Sequence, residues 1–254
     1  MYQSLSKPES RPTPLDWLEV VAADSSMDQA ARDLATHLQS LPLPQGGDRS
    51  CRFILEVGRC GLSLQDQSQP QMRPLRLDAV GMRRRFSGRD LLARSIGRRC
   101  RSVVDATAGF GRDAFHLFHL GKRVIAIERS PVVAVMLADA IDRLVPSARS
   151  DSLQLICDDA RRSFTQCDPP DVIYLDPMFP DRQGRSALAG KELQILRALV
   201  GDDEDASGLF HVARSVALQR VVVKRPAWAG PLVGSVPDLE YRGRAVRYDA
   251  YLTV

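Results

Sequence analysis

From Ser102 onward, short aliphatic runs alternate with stretches of helical periodicity, and this alternation constrains the fold more than any other feature of the sequence. The runs are Val103–Ala106, Arg123–Ile127, Leu153–Ile156, Val172–Leu175 and Arg220–Val223. Each is too short for a helix and too continuously apolar to leave one face wet, which suits strands buried on both faces of a parallel sheet. Between them, Asp113–Leu120, Pro131–Arg143, Ala160–Phe164 and Leu188–Val200 read as helices. The pattern predicts a doubly wound, Rossmann-like α/β fold that binds ligands beyond the carboxyl ends of its strands. Arg244–Leu252 alternates as one or two closing antiparallel strands would.

The first part of the chain is different. Residues 1–14 are polar and carry Pro8, Pro12 and Pro14, as expected of a flexible tail. Apolar residues recur at helical intervals from Leu15 to Leu41 and predict a helix over Gln29–Gln39, with Ser26 or Asp28 as its cap. Arg52–Val57 and Gly61–Leu64 read as a hairpin. The expected division is therefore a small N-terminal α+β subdomain over residues 15–75 and a Rossmann-like domain over 76–254. With 254 residues, 44% of them hydrophobic, the chain has ample material for such a core.

Several classes of protein are excluded by composition. No run approaches the roughly 20 apolar residues of a membrane span, and Met1–Trp17 lacks a signal-like apolar segment, so a soluble, cytoplasmic protein with no membrane partner is expected. The cysteines, Cys51, Cys60, Cys100, Cys157 and Cys167, form no C-x-x-C pair. They read as reduced thiols, and with His37, His116, His119 and His211 scattered, no metal site is expected.

Charge is concentrated rather than large. The whole chain carries +4, and only four of its 35 basic residues are lysines. An Arg-rich entry segment, 73–101, holds ten arginines against Asp78 and Asp90, a net +8 that leaves the remainder at −4. Such a run is either a solvated face or a surface that neutralises several phosphates, and Arg83, Arg84 and Arg85 are the natural RNA-binding candidates.

The chemistry-bearing residues fall at the ends of the aliphatic runs. After the first comes Asp105, then a turn with Gly109 and Gly111 and the helix entry Arg112-Asp113. Glycines there let the backbone turn tightly and approach a ligand, although such a turn can also be purely structural. The third glycine of a dinucleotide fingerprint is missing, and a carboxylate at 105 would repel a diphosphate. A cationic or zwitterionic ligand fits better, such as the amino-acid end of S-adenosylmethionine. Glu128 ends the second run, where an acid accepts hydrogen bonds from ribose hydroxyls. Asp158, Asp159 and Ala160 follow the third, at the level of an adenine ring, where the acids serve either the exocyclic amine or the next helix's N-terminus.

The sharpest motif is Asp176-Pro177-Met178-Phe179-Pro180 after the fourth run. Its two prolines stiffen the loop and expose carbonyl oxygens. Asp176 and the Pro177 carbonyl would accept the two hydrogens of a heterocyclic amine while Phe179 stacks on the ring, which aims the nitrogen lone pair at a methyl donor. These three are the candidate catalytic residues. Lys224 and Arg225 close the fifth run and either grip the phosphates around a splayed-out nucleotide or form a strand-end charge pair.

The segments VVDATAGFGRDAF, IERSPVVAVML, VIYLDPMFP and RVVVKRP, in this order, resemble the bacterial 16S rRNA (guanine-N2)-methyltransferase J family. The resemblance runs from about Val80 to the C-terminus. It implies a class I methyltransferase fold, S-adenosylmethionine as cofactor, and methylation of an exocyclic guanine N2 in 16S rRNA or the small ribosomal subunit. It places cofactor contacts on Arg112, Asp113, Glu128, Arg129, Asp159, Ala160 and Asp176. Where the family carries a small polar pair at the adenine position, this chain has Asp159-Ala160. Two rivals stay open from the residues alone: an adenine-N6 methyltransferase acting on RNA or DNA, and a non-catalytic RNA-binding Rossmann-like protein. A nicotinamide dehydrogenase is disfavoured by Asp105 and the missing glycine.

Overall fold

The computed structural model describes residues 17–41, 52–82, 90–179, 190–203 and 205–253. In chain order the first elements are β1 (Leu18–Ala22), α1 (Asp28–Gln39), β2 (Phe53–Gly58), β3 (Gly61–Asp66), the short α2 (Ala79–Met82) and α3 (Leu91–Ile96). Then come β4 (Ser102–Asp105), α4 (Arg112–His119), β5 (Arg123–Ile127), α5 (Pro131–Leu144), β6 (Leu153–Ile156), α6 (Ala160–Ser163) and β7 (Val172–Leu175). The last are α7 (Lys191–Val200), α8 (Ala206–Val216), β8 (Arg220–Pro226), β9 (Leu239–Arg242) and β10 (Val246–Leu252). These elements form two compact units: residues 1–79, 130–145 and 178–202, and residues 80–129, 146–177 and 203–254.

In the first unit β1 pairs parallel with β2, and β2 pairs antiparallel with β3. The sequence reading treats the whole of Leu15–Leu41 as helical in period, whereas Leu18–Ala22 is a strand. Its run of Val20, Val21 and Ala22 is compatible with either period, and ladder bonds to β2 decide the outcome. Alpha-helix α5 joins this unit through Asp139, whose carboxylate accepts from the Leu62 backbone N–H at 3.1 Å and from Arg143 at 2.7 Å. Gly61 at that turn has φ +99°, and a Cβ there would meet the Arg143 guanidinium at 2.3 Å.

The second unit is built on a seven-stranded sheet ordered β6-β5-β4-β7-β8-β10-β9. Pairings among β4 to β8 are parallel, and β10 runs antiparallel to both its neighbours. The order reverses at β4, which lies between β5 and β7, so a ligand crevice opens at the carboxyl ends of those strands. Val104, Ile173, Leu175, Val221 and Val223 fill one face of the sheet with Phe164 of the β6–β7 connection, Phe210 of α8 and Tyr251 of β10. The aliphatic runs are strands for this reason: side chains of both parities are covered, which leaves no wet face to alternate with.

Candidate active site

Strand β4 delivers Asp105 to the start of the turn. Its side chain is 1% exposed, and burial, reinforced by the charge of Asp113, pushes its pKa well above the usual carboxylate range. Asp105 is thus a buried carboxyl favouring its protonated form, not the open anion that the sequence suggests. Its Oδ1 accepts from the Thr107 N–H at 3.3 Å. Beyond it Gly109 and Gly111 adopt φ of 54° and 82°, in the left-handed region that side chains disfavour. This conformation lets the Gly109 N–H donate to Glu128 Oε2 at 2.8 Å, tying the turn to the acid at the end of β5. Glu128 is buried as well.

The structure brings Asp113, Asp176 and Lys224 together, a grouping invisible in the sequence. Asp113 stands in the first turn of α4, and its Oδ2 accepts from the Tyr174 hydroxyl at 2.6 Å and from Lys224 Nζ at 2.8 Å. The same ammonium donates to Asp176 Oδ2 at 2.6 Å. Burial alone would lower the Lys224 pKa, but the charges of Asp176 and Asp113 outweigh it and hold the ammonium above the ordinary lysine range. Burial, with Asp113 beside it, likewise raises the Tyr174 phenol, so it stays a hydrogen-bond donor. The Asp176 backbone N–H donates to Thr107 Oγ1 at 2.6 Å. Thr107 and Tyr174 are functional neighbours the sequence reading passes over; the polar tip of Tyr174 inside an otherwise aliphatic run is the one signal that could have flagged it.

Pro177 is buried, and Phe179 is half-buried with its carbonyl accepting from Arg197 at 2.7 Å. Pro180 lies outside the described residues. Between β6 and α6 the expected adenine-side acids are engaged by arginines: Asp158 pairs with Arg162 at 2.7 Å and Asp159 with Arg161 at 2.6 Å. Asp159 also caps α6 through the Arg161 N–H, and the Arg161 hydrogen bond holds its pKa below the usual range. The helix-capping alternative is therefore the arrangement found for Asp159. Ala160 is buried. Burial pushes the neighbouring Cys157 thiol up to about 12, which removes it as a nucleophile at neutral pH. Arg112 is exposed at the start of α4, whereas the Arg129 guanidinium pairs with Asp203 and, at 3.3 Å, with Asp205.

The expected phosphate grip at the end of β8 requires correction. Lys224 and Arg225 point to opposite faces of the strand. Arg225 is 5% exposed and its guanidinium donates to the Gly230 carbonyl at 2.6 Å, so it fastens the following loop instead of reaching solvent. Burial lowers its pKa to about 10. Lys224 has two carboxylates against it, and a phosphate brought there would meet net negative charge. Arg83, Arg84 and Arg85 lie outside the described residues. Among the described residues no three His, Cys, Asp or Glu side chains gather as metal ligands, and no helix is long and apolar enough to cross a membrane.

A family model for SAM-dependent methyltransferases matches residues 36–253. The ribosomal RNA small subunit methyltransferase J of Thioalkalivibrio sulfidiphilus is 41% identical over 247 residues, covering 91% of this chain and 96% of the relative. Its namesake in Dechloromonas aromatica is 41% identical over 228 residues, covering 84% and 92%. Among solved structures, a SAM-dependent methyltransferase of Neisseria gonorrhoeae superposes with a TM-score of 0.68 at 31% identity, covering 92% of this chain and 95% of the other.

Proposed function

Because the chain belongs to the ribosomal RNA small subunit methyltransferase J family of SAM-dependent methyltransferases, we propose that it methylates the exocyclic N2 amine of one guanine in 16S rRNA, in the cytoplasm, on free rRNA or on the small subunit. The observation that carries the site assignment is the anchoring of Asp176 at the carboxyl end of β7, with its backbone on Thr107 and its carboxylate on Lys224.

The residues present fit S-adenosylmethionine. Gly109 and Gly111 form a turn without side chains, and Glu128, steadied by the Gly109 N–H, is the acceptor for a ribose diol. The surrounding acids, Asp113, Asp176 and Glu128, suit a ligand carrying positive charge at its amino group and sulfur. When bound, the cofactor supplies a methyl group on a positively charged sulfur.

The protein's own part is to orient the acceptor. A guanine N2 is a poor nucleophile because its lone pair is delocalised into the ring. Two acceptors, the Asp176 carboxylate and the Pro177 carbonyl, take its two N–H hydrogens, return electron density to the nitrogen and aim it at the methyl group, while Phe179 covers the base. Arg112, Asp113, Arg129, Asp158, Asp159 and Ala160 complete the cofactor side, with Asp113 acting through its ties to Tyr174 and Lys224. RNA is held by the Arg-rich entry segment, led by Arg83, Arg84 and Arg85.

The test is a mass-resolved nucleoside digest of small-subunit rRNA from a deletion strain. N2-methylguanosine should fall by one residue per rRNA and return on complementation with the wild-type gene. An unchanged N2-methylguanosine content rejects the assignment, and a deficit of N6-methyladenosine instead would transfer it to the adenine reading.

A further inference from the structure

The carboxyl edge of the seven-stranded sheet carries the candidate site, and the amino edge of the same sheet carries a group of cations that the reaction does not use. Arg98, Arg99 and Arg101 occupy the connection from α3 to β4, and Lys122 and Arg123 stand at the entry to β5, the adjacent strand. The four arginines are exposed, and among the described residues none of them pairs with a carboxylate. Their backbone, in contrast, is fastened at several points. The Arg101 and Ser102 N–H groups donate to Asp171 Oδ2 at 2.6 and 3.1 Å, and the Arg101 carbonyl accepts from the Arg123 N–H at 2.9 Å. Lys122 Nζ donates to the Cys100 carbonyl at 2.6 Å, and Arg220 donates to the Ser95 carbonyl in α3 at 3.2 Å. Asp171, the acid beside the group, accepts from the Gln219 amide as well, at 2.7 Å, so its oxygens serve the backbone and an amide and not the guanidiniums.

Like charges crowded onto a fixed backbone repel one another, and the repulsion turns into attraction when a polyanion supplies the counter-charge. Residues 97–101 and 121–123 contain no aromatic side chain, so this edge has nothing on which an unpaired base would stack. It presents guanidinium forks, which match phosphate oxygens. We propose that the amino edge is a second RNA contact, which grips the phosphate backbone of a folded part of the rRNA other than the segment carrying the target guanine. This rests on the proposed function in taking 16S rRNA as the partner. The strands set the separation: β4 and β5 have four and five residues, so at about 3.3 Å per residue roughly 13–17 Å of sheet stand between this edge and the carboxyl ends. Phosphates adjoining a nucleotide presented at Asp176 therefore do not reach Arg99 or Arg123. Arg98, Arg99 and Arg101 fall within the segment 73–101 in the sequence, but in the fold they group with Lys122 and Arg123, away from the reacting edge.

The experiment measures, over a range of salt, how the full chain binds three probes from the deletion strain's sequence: protein-free 16S rRNA, assembled small subunits, and a short stem-loop containing the target guanine. Arg98→Ala, Arg99→Ala and Arg101→Ala combined should weaken binding of 16S rRNA at least about tenfold at low salt. The slope of log affinity against log salt should become shallower by up to about two to three units, at about 0.7–0.9 per lost phosphate contact. Affinity for the stem-loop should change less than about twofold, because its phosphates lie at the other edge. Lysine at the same three positions should restore most of the slope, since an ammonium still neutralises a phosphate. Arg123→Glu alters one exposed side chain at a strand entry and should make the 16S rRNA slope shallower by about one unit. It decides the matter should the triple variant not fold. Wild-type slopes in the folded variants overturn the inference. So does an equal loss on the stem-loop, which would place these arginines against the target segment, and so does a loss confined to assembled subunits, which would assign the edge to a ribosomal protein. Binding is read here without methyl transfer. A wild-type protein that makes no N2-methylguanosine but shows the expected slopes loses the proposed function and keeps this contact, whereas an active protein with unaltered slopes loses this inference alone.

Discussion

Individual acids in this chain have different duties that their spacing does not disclose. On the proposed function Asp176 is the acid at the reacting edge, and Asp176→Ala would remove both an acceptor for the amine and the second partner of Lys224. Methyl transfer should fall by about 10²–10³-fold, the usual loss for a missing transition-state hydrogen-bond partner, while calorimetry still detects S-adenosylmethionine binding. Full activity would remove Asp176 from the mechanism. Asp105 is an opposite case. Its pKa in the folded chain is raised by burial and by Asp113, so the folded state favours the proton more than the unfolded state does. Such a carboxyl contributes its full stability below the unfolded value near 3.8, and that contribution declines as pH rises toward the folded pKa. Asp105→Asn keeps the acceptor oxygen for the Thr107 N–H and cannot ionise. Its melting temperature relative to wild type should therefore climb between about pH 4 and pH 8, and a difference independent of pH would contradict the assignment. The sequence shows that 105, 128 and 176 are acids at strand ends, but not which of them is buried, because that depends on what lies opposite. Asp113 on α4 and Lys224 on β8 are 111 residues apart in sequence and meet only through the sheet order.

The parallel strands are the most legible elements. The runs Arg123–Ile127, Leu153–Ile156 and Val172–Leu175 coincide with β5, β6 and β7, since continuous aliphatic character has few other uses in a run that short. Less legible elements owe their state to partners. β1 depends on pairing with β2, and α3 lies within an Arg-rich segment, where Asp90 supplies its cap by accepting from the Ala93 N–H at 3.0 Å. Alpha-helix α8 is not legible in the sequence because Gly208 and the β-branched Val212 and Val216 weaken its local signal; Phe210 and Ala213, buried on the sheet, establish it. β8 runs on through Pro226, three residues beyond the run Arg220–Val223 that the sequence marks. β10, the reversed strand, carries a charged pair inside the sheet: Arg247 donates to both Asp249 oxygens at 2.8 and 2.9 Å, with the two side chains 5% and 0% exposed. A pair so buried is costly to break one-sidedly, because the survivor keeps its charge with no solvent to replace the lost partner. Asp249→Ala should destabilise the protein by about 3–5 kcal/mol in urea unfolding, and a loss under about 1 kcal/mol would mean that water reaches Arg247.

For the molecule as a whole, the decisive quantity is where positive charge is placed. The net +4 is the residue of a segment at +8 and a remainder at −4, and the acids of the candidate site belong to that remainder. A methyltransferase of ribosomal RNA has to attract a polyanion without drawing phosphates into the pocket that receives a cationic methyl donor. Separating the two signs along the chain meets both demands, and the pairing of Lys224 with two acids and of Arg225 with the Gly230 carbonyl leaves neither cation of β8 as a phosphate ligand. On the proposed function, the attraction is assigned to the arginines between 73 and 101. Replacing Arg83, Arg84 and Arg85 together by Ala removes up to three phosphate contacts, and each contact releases counterions in proportion to about 0.7–0.9 of a unit in the slope of log affinity against log salt. The triple variant should therefore bind small-subunit RNA more weakly at low salt, with a slope shallower by up to about two to three units, and retain wild-type affinity for S-adenosylmethionine. Its kcat at saturating RNA should stay near that of the wild type, because the reacting edge is untouched and only the encounter is weakened. A triple variant with the wild-type slope would return these arginines to the solvated surface and direct the search for the RNA track to the seven other arginines of the same segment, Arg94, Arg98, Arg99 and Arg101 among them.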